Sequence, residues 1–540
     1  TAPANRSICS GSTTALTLSG YTGTIQWQQS TASTGATWNN VTGGSGATTA
    51  TYTTPALSTT TYYRAQVSNG SCVSFSSVTT VTVITTNVWT GAVSTFWNTP
   101  GNWSCNIVPD LTRDVEIPVV ASNNYPIITG SDGNADCKNI TVANGSSVTV
   151  NTSGNGNLRI AGTIVNNGLI NATDGTIVMI GTSSQNIPAN TFATNTVRNL
   201  TIYNSTGVTL QGNLNLTGIL NLEAGLFTTG NALTLKSNAS TTAVIDEVTG
   251  SISGTMTIER YIPARRAFRF MSSPTTGGTI QSNWQEGVPA IDPIGLGTDI
   301  TGAGAQSNGF DPSGSNNPSL FTHNNNDASW NAVTSTLIPL QAGTPYRLMV
   351  RGDRTVNQFL NASTPTNTTL RTTGNIVTGN VTVSNLSQTA GGFSFVGNPY
   401  QAPVDMEAVL SGATNLNDTF YYVWDPTQNT RGSYVTVDVK TNTNNVSGST
   451  ANKYLQPNHA FFVQTQVDGN ASLIFREANK LVNTNTTPAI YRTSENNTAS
   501  IRFTMYSGNQ ITENSVAADG FLVNFSSNFS NDLDTKDAVK

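Results

Sequence analysis

The segment 138–260 is built from strand-length runs of about three to five residues that alternate apolar and polar positions. Corners of Gly and Asn separate the runs, as in Asn139-Ile-Thr-Val, Gly162-Thr-Ile-Val, Arg198-Asn-Leu-Thr-Ile and Gly212-Asn-Leu-Asn-Leu. A strand this short cannot bury its apolar side alone, so each run must stack on neighbouring runs. The pattern predicts a parallel β-helix-like solenoid over 138–260, with a stack of antiparallel sandwiches as the alternative.

The surface of the chain must carry few charges. Charged residues make up 10% of the sequence and the formal net charge is −5, whereas globular proteins carry about 25% charged residues. Nucleic-acid binding is not expected, because phosphate neutralisation supplies most of that affinity. No membrane span is expected either, since no apolar run reaches about 18 residues.

The composition also indicates the fold class. Thr, Val, Ile, Tyr and Phe favour strands, and runs of strong helix formers at helical spacing are missing. We therefore predict an all-β chain, in which an immunoglobulin-like sandwich is followed by the solenoid and by one or more β-sandwich domains. The one short helix expected runs from Val404 to Leu410, with Asp405 as its N-cap.

Residues 1–86 are predicted to form the immunoglobulin-like domain, because short alternating runs are separated by Gly, Ser and Asn turns. Trp27 lies on an alternating strand and is expected to fill the core. The segment resembles the immunoglobulin-like repeats of large secreted surface proteins of Bacteroidetes. That resemblance rests on Ile25-Gln-Trp-Gln-Gln-Ser, Trp38-Asn-Asn-Val, Tyr52-Thr-Thr-Pro-Ala-Leu and Thr61-Tyr-Tyr-Arg-Ala-Gln-Val.

Residues 87–137 contain three Trp within fifteen residues, at Trp89, Trp97 and Trp103. Exposed aromatic rings stack on sugars, so these residues are candidates for glycan stacking. Buried, they would instead form a Trp-rich cap that seals the open end of the solenoid, as solenoids require. The cap is the interpretation we favour.

The four Cys, at positions 9, 72, 105 and 137, are an even number in a chain poor in Lys, which indicates an oxidising compartment. Local disulfides are predicted, Cys9 with Cys72 and Cys105 with Cys137, each contributing about 4 kcal/mol in the chain-entropy model. Four buried free thiols are the alternative. Zinc is not expected because no Cys-x-x-Cys pair occurs.

One short segment has the spacing of a calcium loop. Asp132, Asn134 and Asp136 offer oxygen ligands at alternating positions. The Gly and the Glu that such loops carry at their sixth and twelfth positions are missing, so a polar turn is the favoured alternative. Calcium is the only cofactor that the sequence suggests.

Residues 261–480 are denser in Arg and aromatic residues and are predicted to form a β-sandwich module. Phe270-Met-Ser-Ser-Pro, Asn283-Trp-Gln-Glu-Gly, Phe395-Val-Gly-Asn-Pro-Tyr and Asn458-His-Ala-Phe-Phe-Val resemble a module near the C-terminus of Bacteroidetes proteins exported by the type IX secretion system. The resemblance implies a C-terminal sorting domain, which this chain does not include. Residues 481–540 are predicted to begin a further β-sandwich, and we expect the natural protein to continue beyond them.

No catalytic residues are predicted. The only two His, His323 and His459, lie in loop sequence and beside a strand, and no Gly-x-Ser-x-Gly pattern occurs. Glycoside hydrolysis needs two carboxyl groups about 5–10 Å apart. The acids of the solenoid segment are few: Asp174, Glu223, Asp246, Glu247 and Glu259.

These observations favour a structural and adhesive module of a large secreted or surface-displayed bacterial protein, with a fibre or appendage as one setting. Glycans, other cell-surface polymers or copies of the chain are the expected partners, and the type IX secretion machinery is the partner implied by the resemblance. The alternatives are a secreted carbohydrate-active enzyme, its glycan-binding accessory region, or a spacer. Specific recognition is expected in 260–480, where Arg and aromatic residues collect, or in the Trp-rich segment.

Overall fold

The computed structural model describes residues 1–34, 37–151, 156–287, 293–357, 359–360, 362–429 and 432–482, and the backbone of two strands at 499–505 and 519–525. The fold is nearly all β, with 44% strand and 5% helix, and it contains a β-solenoid of about 6 turns. The predicted fold class is therefore confirmed. No helix in the described ranges has the length and apolar content needed to cross a membrane.

The N-terminal unit is a small sandwich. Its strands are β1 (Arg6–Cys9), β2 (Ala15–Thr17), β3 (Thr24–Ser30), β4 (Asn39–Asn40), β5 (Thr51–Thr53), β6 (Thr61–Asn69), β7 (Cys72–Phe75) and β8 (Thr79–Ile84). One sheet has the order β1-β8-β6-β3-β4, with β7 beside β6, and a second sheet pairs β2 with β5. Trp27, Tyr52 and Tyr63 are fully buried between the sheets, so Trp27 fills the core as predicted.

The solenoid follows after one intervening residue. Its strands are β9 (Thr86–Val88), β10 (Asp114–Ile117), β11 (Ile127–Ile128), β12 (Asn134–Cys137), β13 (Ile140–Val142), β14 (Ser147–Asn151), β15 (Asn157–Ile160), β16 (Ile164–Asn166), β17 (Leu169–Met179), β18 (Gln185–Ile187), β19 (Thr196–Tyr203), β20 (Val208–Leu210), β21 (Leu214–Leu216), β22 (Ile219–Ala224), β23 (Leu226–Thr228), β24 (Leu233–Leu235), β25 (Val244–Val248), β26 (Ser251–Ser253) and β27 (Met256–Ile262). Two short 3-10 helices, Pro100–Asn102 and Ala193–Asn195, lie in its loops.

The strands of the solenoid lie on three faces, and the long strands β17 and β19 each extend across the second and third faces. The first face holds the sheets β9-β10-β13-β16 and β18-β20-β23-β26, the second runs from β11 to β27, and the third from β12 to β25. Within the solenoid these strands pair in parallel, which rules out the antiparallel alternative. At about 4.8 Å between turns, six turns are roughly 29 Å long.

Asn side chains hold successive turns together at more than one corner of the solenoid. Oδ1 of Asn139 accepts the backbone N–H of Thr163 at 2.7 Å, and Oδ1 of Asn199 accepts that of Ile219 at 2.8 Å. Only a glycine fits where these amides pass: a Cβ at Gly218 would lie 2.3 Å from Oδ1 of Asn199. The corner residues of the sequence pattern therefore have a specific task in stacking the turns.

The Trp-rich segment forms the first turn of the solenoid instead of a separate domain. It carries β9 to β12, and these strands pair with the strands of the following turn. Trp89, Trp97 and Trp103 belong to the same continuous core as Ile258 near the far end. The solenoid thus begins at residue 86 and not at 138, because the bulky indoles hide the strand pattern of the first turn.

The cysteine pairing differs from the prediction. The disulfide joins Cys9 to Cys105, while Cys72 is an exposed free thiol and Cys137 a buried one. Register explains why Cys9 cannot reach Cys72. Strands β1 and β6 both pair with β8, where Arg6 and Thr61 lie at the same level, and Cys9 lies three residues past that level. Cys72 pairs with Asn69, which lies eight residues from Thr61 in the opposite direction along the sheet. The two Cys are therefore roughly 35 Å apart along the sheet, whereas a disulfide needs Cα atoms about 4–7 Å apart.

The second predicted pair fails for a different reason. The side chain of Cys137 points from β12 into the core of the solenoid, and burial raises the pKa of its thiol. Cys105 lies in the loop beside β9, next to the end of the N-terminal sandwich. The observed bond therefore ties the sandwich to the first solenoid turn.

The C-terminal region contains the remaining described elements. They are β28 (Ala267–Met271), β29 (Thr275–Thr276), α1 (Ile280–Trp284), β30 (Leu320–Asn324), β31 (Ser329–Ala332), β32 (Tyr346–Val350), β33 (Thr368–Ile376), β34 (Val381–Val383), β35 (Phe393–Gly397), β36 (Val404–Asp405), α2 (Met406–Ser411), β37 (Phe420–Asp425), β38 (Ser433–Asp438), β39 (Thr443–Asn444), β40 (Tyr454–Leu455), β41 (Ala460–Gln464) and β42 (Leu473–Phe475), with 3-10 helices at Ala305–Asn308 and Glu477–Asn479. The predicted helix is present as α2, and Asp405 caps it by accepting the N–H of Glu407 at 2.9 Å.

The described part of this region has two large hydrophobic cores and a smaller aromatic one around Phe270, where the sequence predicted one module. The first is built around Trp284 and Leu348, and the second around Val423 and Phe461. Strand β27 connects the region to the solenoid, because it pairs in parallel with β24 and antiparallel with β33. Further along, β43 (Ala499–Met505) and β44 (Asp519–Phe525) form an antiparallel pair. The rest of the further sandwich predicted at 481–540 lies outside the described residues, apart from Leu481 and Val482.

A buried ion pair joins the third solenoid face to the C-terminal region. Nζ of Lys480 lies 2.6 Å from Oε2 of Glu477 and 4.8 Å from the ring centroid of Tyr400. The same carboxylate accepts the N–H of Val248 on β25 at 3.0 Å. Burial lowers the pKa of Lys480, and Glu477 opposes that effect by stabilising the charged amine.

Candidate ligand-binding site

The three Trp predicted as a glycan platform are buried. Trp89, Trp97 and Trp103 are at most 2% exposed, and the ring centroid of Trp103 lies 4.9 and 4.8 Å from those of the other two. The indole N–H of Trp103 is directed inward and donates to the carbonyl of Trp97 at 2.8 Å. The glycan-stacking hypothesis is therefore wrong for this triad, which plugs the first turn.

The predicted calcium ligands are already engaged by protein donors. Oδ2 of Asp132 accepts the N–H of Thr129 at 3.0 Å, and Oδ1 of Asn134 accepts Nδ2 of Asn157 at 3.1 Å. Asp136 forms a bidentate ion pair with Arg159 across adjacent turns, at 2.7 and 2.8 Å. Because Asn134 and Asp136 lie on strand β12 and bond sideways to β15, the three residues do not surround a common point.

The solenoid acids and His459 have structural surroundings. Asp174 pairs with Arg198 at 2.7 Å, and Glu259 pairs with Lys236. His459 is 2% exposed, and burial together with the nearby Arg260 lowers the pKa of its imidazole well below 6.5. None of these groups lines the cavities described next.

The aromatic residues of the C-terminal region face one another across two sheets. In the sheet β28-β32-β30-β31, Arg347 lies directly opposite Phe270 and Phe321, and His323 lies opposite Trp330. Residues that are opposite one another, or two apart along a strand, point to the same side. One side of this sheet therefore carries almost only aromatic rings and one Arg.

The facing sheet, β35-β41-β37-β38-β39, repeats the pattern. Phe462 lies opposite both Phe395 and Tyr422, and Trp424 lies opposite Tyr434. The two aromatic sides meet at Phe270, whose ring centroid lies 4.8 Å from that of Phe395 and 5.7 Å from that of Phe462. At the centre of the contact these three rings are at most 5% exposed.

Beyond this buried centre the two sheets separate and leave a cavity of about 400 Å³. We call it the aromatic cleft, and its principal lining residues are His323, Trp330, Phe393, Tyr422, Tyr434 and Phe462. Tyr434 is 50% exposed and Phe393 39%, so both reach the surface. Concave sites lined mainly by aromatic side chains with a few polar groups are typical of small-ligand binding.

His323 supplies a polar group of fixed orientation. Its Nδ1 lies 3.0 Å from Oδ1 of Asn325, an oxygen that also accepts the N–H of Phe395 at 2.8 Å. The amide nitrogen of Asn325 donates to the carbonyl of Asn385 at 2.7 Å, which fixes the amide's orientation. Nδ1 of His323 is therefore the donor, and in the neutral tautomer that this bond selects Nε2 is an acceptor.

A second cavity of about 470 Å³ adjoins the aromatic cleft and shares His323 with it. Its lining is more polar and includes Thr322, Thr344, Ser384 and Asn385. Arg347 lies beside Trp330, with its guanidinium carbon 5.2 Å from that ring's centroid and 4.0 Å from that of Phe268. The site thus combines an apolar floor with neutral hydrogen-bonding groups and one cation.

The comparisons with known proteins concern the other end of the chain. Residues 1–85 match a family model described as a domain of unknown function (DUF8696), and residues 88–176 match another described as a domain of unknown function (DUF8693). No curated protein and no solved structure matches the chain. The two family matches cover the N-terminal sandwich and the first turns of the solenoid, and the aromatic cleft lies outside both.

Proposed function

We propose that this chain is an adhesive module of a secreted or surface-displayed bacterial protein and that it binds a glycan in the aromatic cleft. The observation that carries the proposal is the cleft itself, where Tyr434 and Phe393 stand at the surface above the rings of Trp330 and Phe462. Aromatic faces stack on the C–H faces of sugar rings, and the neighbouring Thr and Ser hydroxyls match sugar hydroxyls.

The architecture supports an extracellular setting. A disulfide connects two structural units, and such bonds persist mainly in oxidising compartments. A surface covered by neutral polar residues binds by hydrogen bonding and stacking, which suits glycans and also copies of the same chain. Export by the type IX secretion machinery remains a proposal that rests on the sequence resemblance.

The enzyme alternative receives less support from the cleft. Its lining residues include one His and no carboxylate, whereas the usual glycoside hydrolases need two carboxyl groups beside the scissile bond. The lining is therefore suited to binding more than to hydrolysis, which agrees with an adhesive role.

A glycan array followed by calorimetry on the hits tests the proposal. We expect binding that weakens about 5- to 10-fold in Tyr434→Ala, since one lost aromatic contact is worth about 1–1.4 kcal/mol. Tyr203→Ala is the matched control, because Tyr203 is also 50% exposed but lies on the solenoid. Absence of any glycan binding, or equal weakening in both variants, would contradict the proposed role of the cleft.

A further inference from the structure

Arg347 differs from Arg354 and Arg371, two other Arg residues of the C-terminal region. Arg354 pairs with Asp311 at 2.8 Å, and Arg371 pairs with Glu286. Within the described ranges, no carboxylate lies within ion-pair distance of Arg347, and its recorded contacts are with aromatic rings. Only 10% of the residues in this chain are charged. A guanidinium without a carboxylate partner beside a cavity of ligand size therefore indicates that a ligand could supply the anion.

The position of Arg347 connects it to the aromatic cleft. It projects from the centre of the sheet, opposite Phe270 and Phe321, and its guanidinium lies over the ring of Phe268 at 4.0 Å. Its neighbour Trp330 lines the cleft. Tyr434, on the facing sheet, also lines the cleft.

We propose that the sugar bound in the aromatic cleft carries a carboxylate and that Arg347 binds this carboxylate at the edge of the cleft. The proposal deepens the proposed function and rests on it. Arg is the side chain best suited to the task, because its planar guanidinium can stack on aromatic rings while donating two parallel hydrogen bonds to a carboxylate.

The energetics favour an anionic ligand over a neutral or cationic one. Arg347 is half-buried, and this burial lowers its pKa because the charged form loses hydration. A carboxylate brought by the ligand would restore the missing interaction partner. A quaternary ammonium ligand would suit the aromatic rings, but it would face the positive charge of Arg347.

The neutral groups nearby fit the rest of an acidic sugar. Thr344 and Ser384 in the adjoining cavity offer hydroxyls, and His323 offers Nε2 as an acceptor for a sugar hydroxyl. Rings on both sides of the cleft can cover the faces of a pyranose. The expected ligand is therefore a carboxylate-bearing pyranose, such as a uronic acid or a sialic acid residue at the end or within a glycan.

Titration calorimetry on the whole chain tests this with matched ligand pairs. The probes are hexagalacturonate against its carboxyl-reduced counterpart, and sialyllactose against lactose and against sulfated lactose. We expect at least one acidic sugar to bind about 10-fold or more tightly than its neutral partner, since hydrogen bonds to charged groups are worth about 1.5–3 kcal/mol. The preference should shrink as the salt concentration rises.

Variants then assign the preference to one residue. Arg347→Gln should lose the preference for the acidic sugar while it keeps affinity for the neutral one. Arg198→Gln removes the same charge from the solenoid surface and should leave the preference intact. The comparison of ligand pairs on the unaltered protein needs no variant, so it tests the preference for a carboxylate even if Arg347→Gln folds poorly.

The outcomes separate the two proposals. If no glycan of either kind binds, the proposed function fails. If neutral and acidic partners bind equally well and Arg347→Gln changes nothing, glycan binding stands and the carboxylate assignment is overturned. A preference for sulfated lactose over sialyllactose would also overturn the assignment, in favour of a sulfated sugar.

Discussion

Breaking the disulfide between Cys9 and Cys105 should destabilise the N-terminal sandwich and leave the rest of the chain unchanged. The two Cys are separated by 96 residues, so the bond closes a loop that contains strands β2 to β8 of the sandwich. In the chain-entropy model a loop of about 100 residues contributes about 4–5 kcal/mol at 25 °C. The bond also acts when the sandwich unfolds alone, because Cys105 and β9 both remain fixed on the first solenoid turn.

Hydrogen exchange followed by mass spectrometry resolves the units in one experiment. A loss of about 4 kcal/mol corresponds to roughly thousandfold faster exchange for peptides of β3 and β6 in Cys9→Ser. Peptides of β17 and β19 in the solenoid should exchange at their original rates. Cys72→Ser is the matched control, because Cys72 is exposed and forms no disulfide.

Two results would refute this reasoning. Unchanged exchange in the sandwich of Cys9→Ser would show that the loop-closure argument does not hold for this linkage. Equal acceleration in sandwich and solenoid peptides would show that the two units unfold together, contrary to their separate cores.

Three further predictions concern buried polar groups. Asn199→Ala should destabilise the solenoid by about 1–3 kcal/mol in urea unfolding, because it leaves a backbone N–H of the next turn without its acceptor. The control is Asn221→Ala, which removes an exposed contact and should lower the free energy of unfolding by under about 0.5 kcal/mol. The pKa of His459 is lowered in the folded protein, so the unfolded chain takes up a proton at a higher pH than the folded chain does. The stability contributed by the neutral ring is therefore complete above about pH 6.5 and falls below that pH by up to about 1.4 kcal/mol per pH unit. Thermal unfolding of His459→Gln should consequently depend less steeply on pH between 6.5 and 5.5. Glu477→Gln should lower stability by about 3–5 kcal/mol by leaving a buried ammonium unpaired, whereas Lys480→Met with Glu477→Gln should recover much of that loss in the same unfolding assay.

Local sequence patterns were sufficient to predict the elements that depend on near neighbours. The alternating runs around Asn139 and Asn199 specify strands and corners, and Asp405 specifies the start of α2. Helix α1 escaped because five residues are too few for a helical period, although Thr279 and Ser282 form a reciprocal capping box. The first solenoid turn escaped because its strands are short and widely spaced.

The site could not be predicted in the same way, because it depends on contacts that are distant in sequence. The density of aromatic residues in 260–480 pointed to the region that contains the aromatic cleft, but it did not show which rings would be exposed. Trp97 and Tyr434 look equally suitable for stacking in the sequence, yet one is fully buried and the other half-exposed. Cysteine spacing likewise carries no information on connectivity when the partners belong to different structural units.

The position of β27 has a consequence for how such proteins can vary. Strand β27 ends the second face of the solenoid and is covered by an antiparallel strand, and three indoles fill the opposite end. Because both ends are closed in this way, the number of turns between them is free to change. Each added or deleted turn of about 20–25 residues would shift the C-terminal region by about 4.8 Å along the axis and rotate it little. The solenoid is in this sense an adjustable spacer, whose length can be altered by whole-turn insertions without redesigning either end.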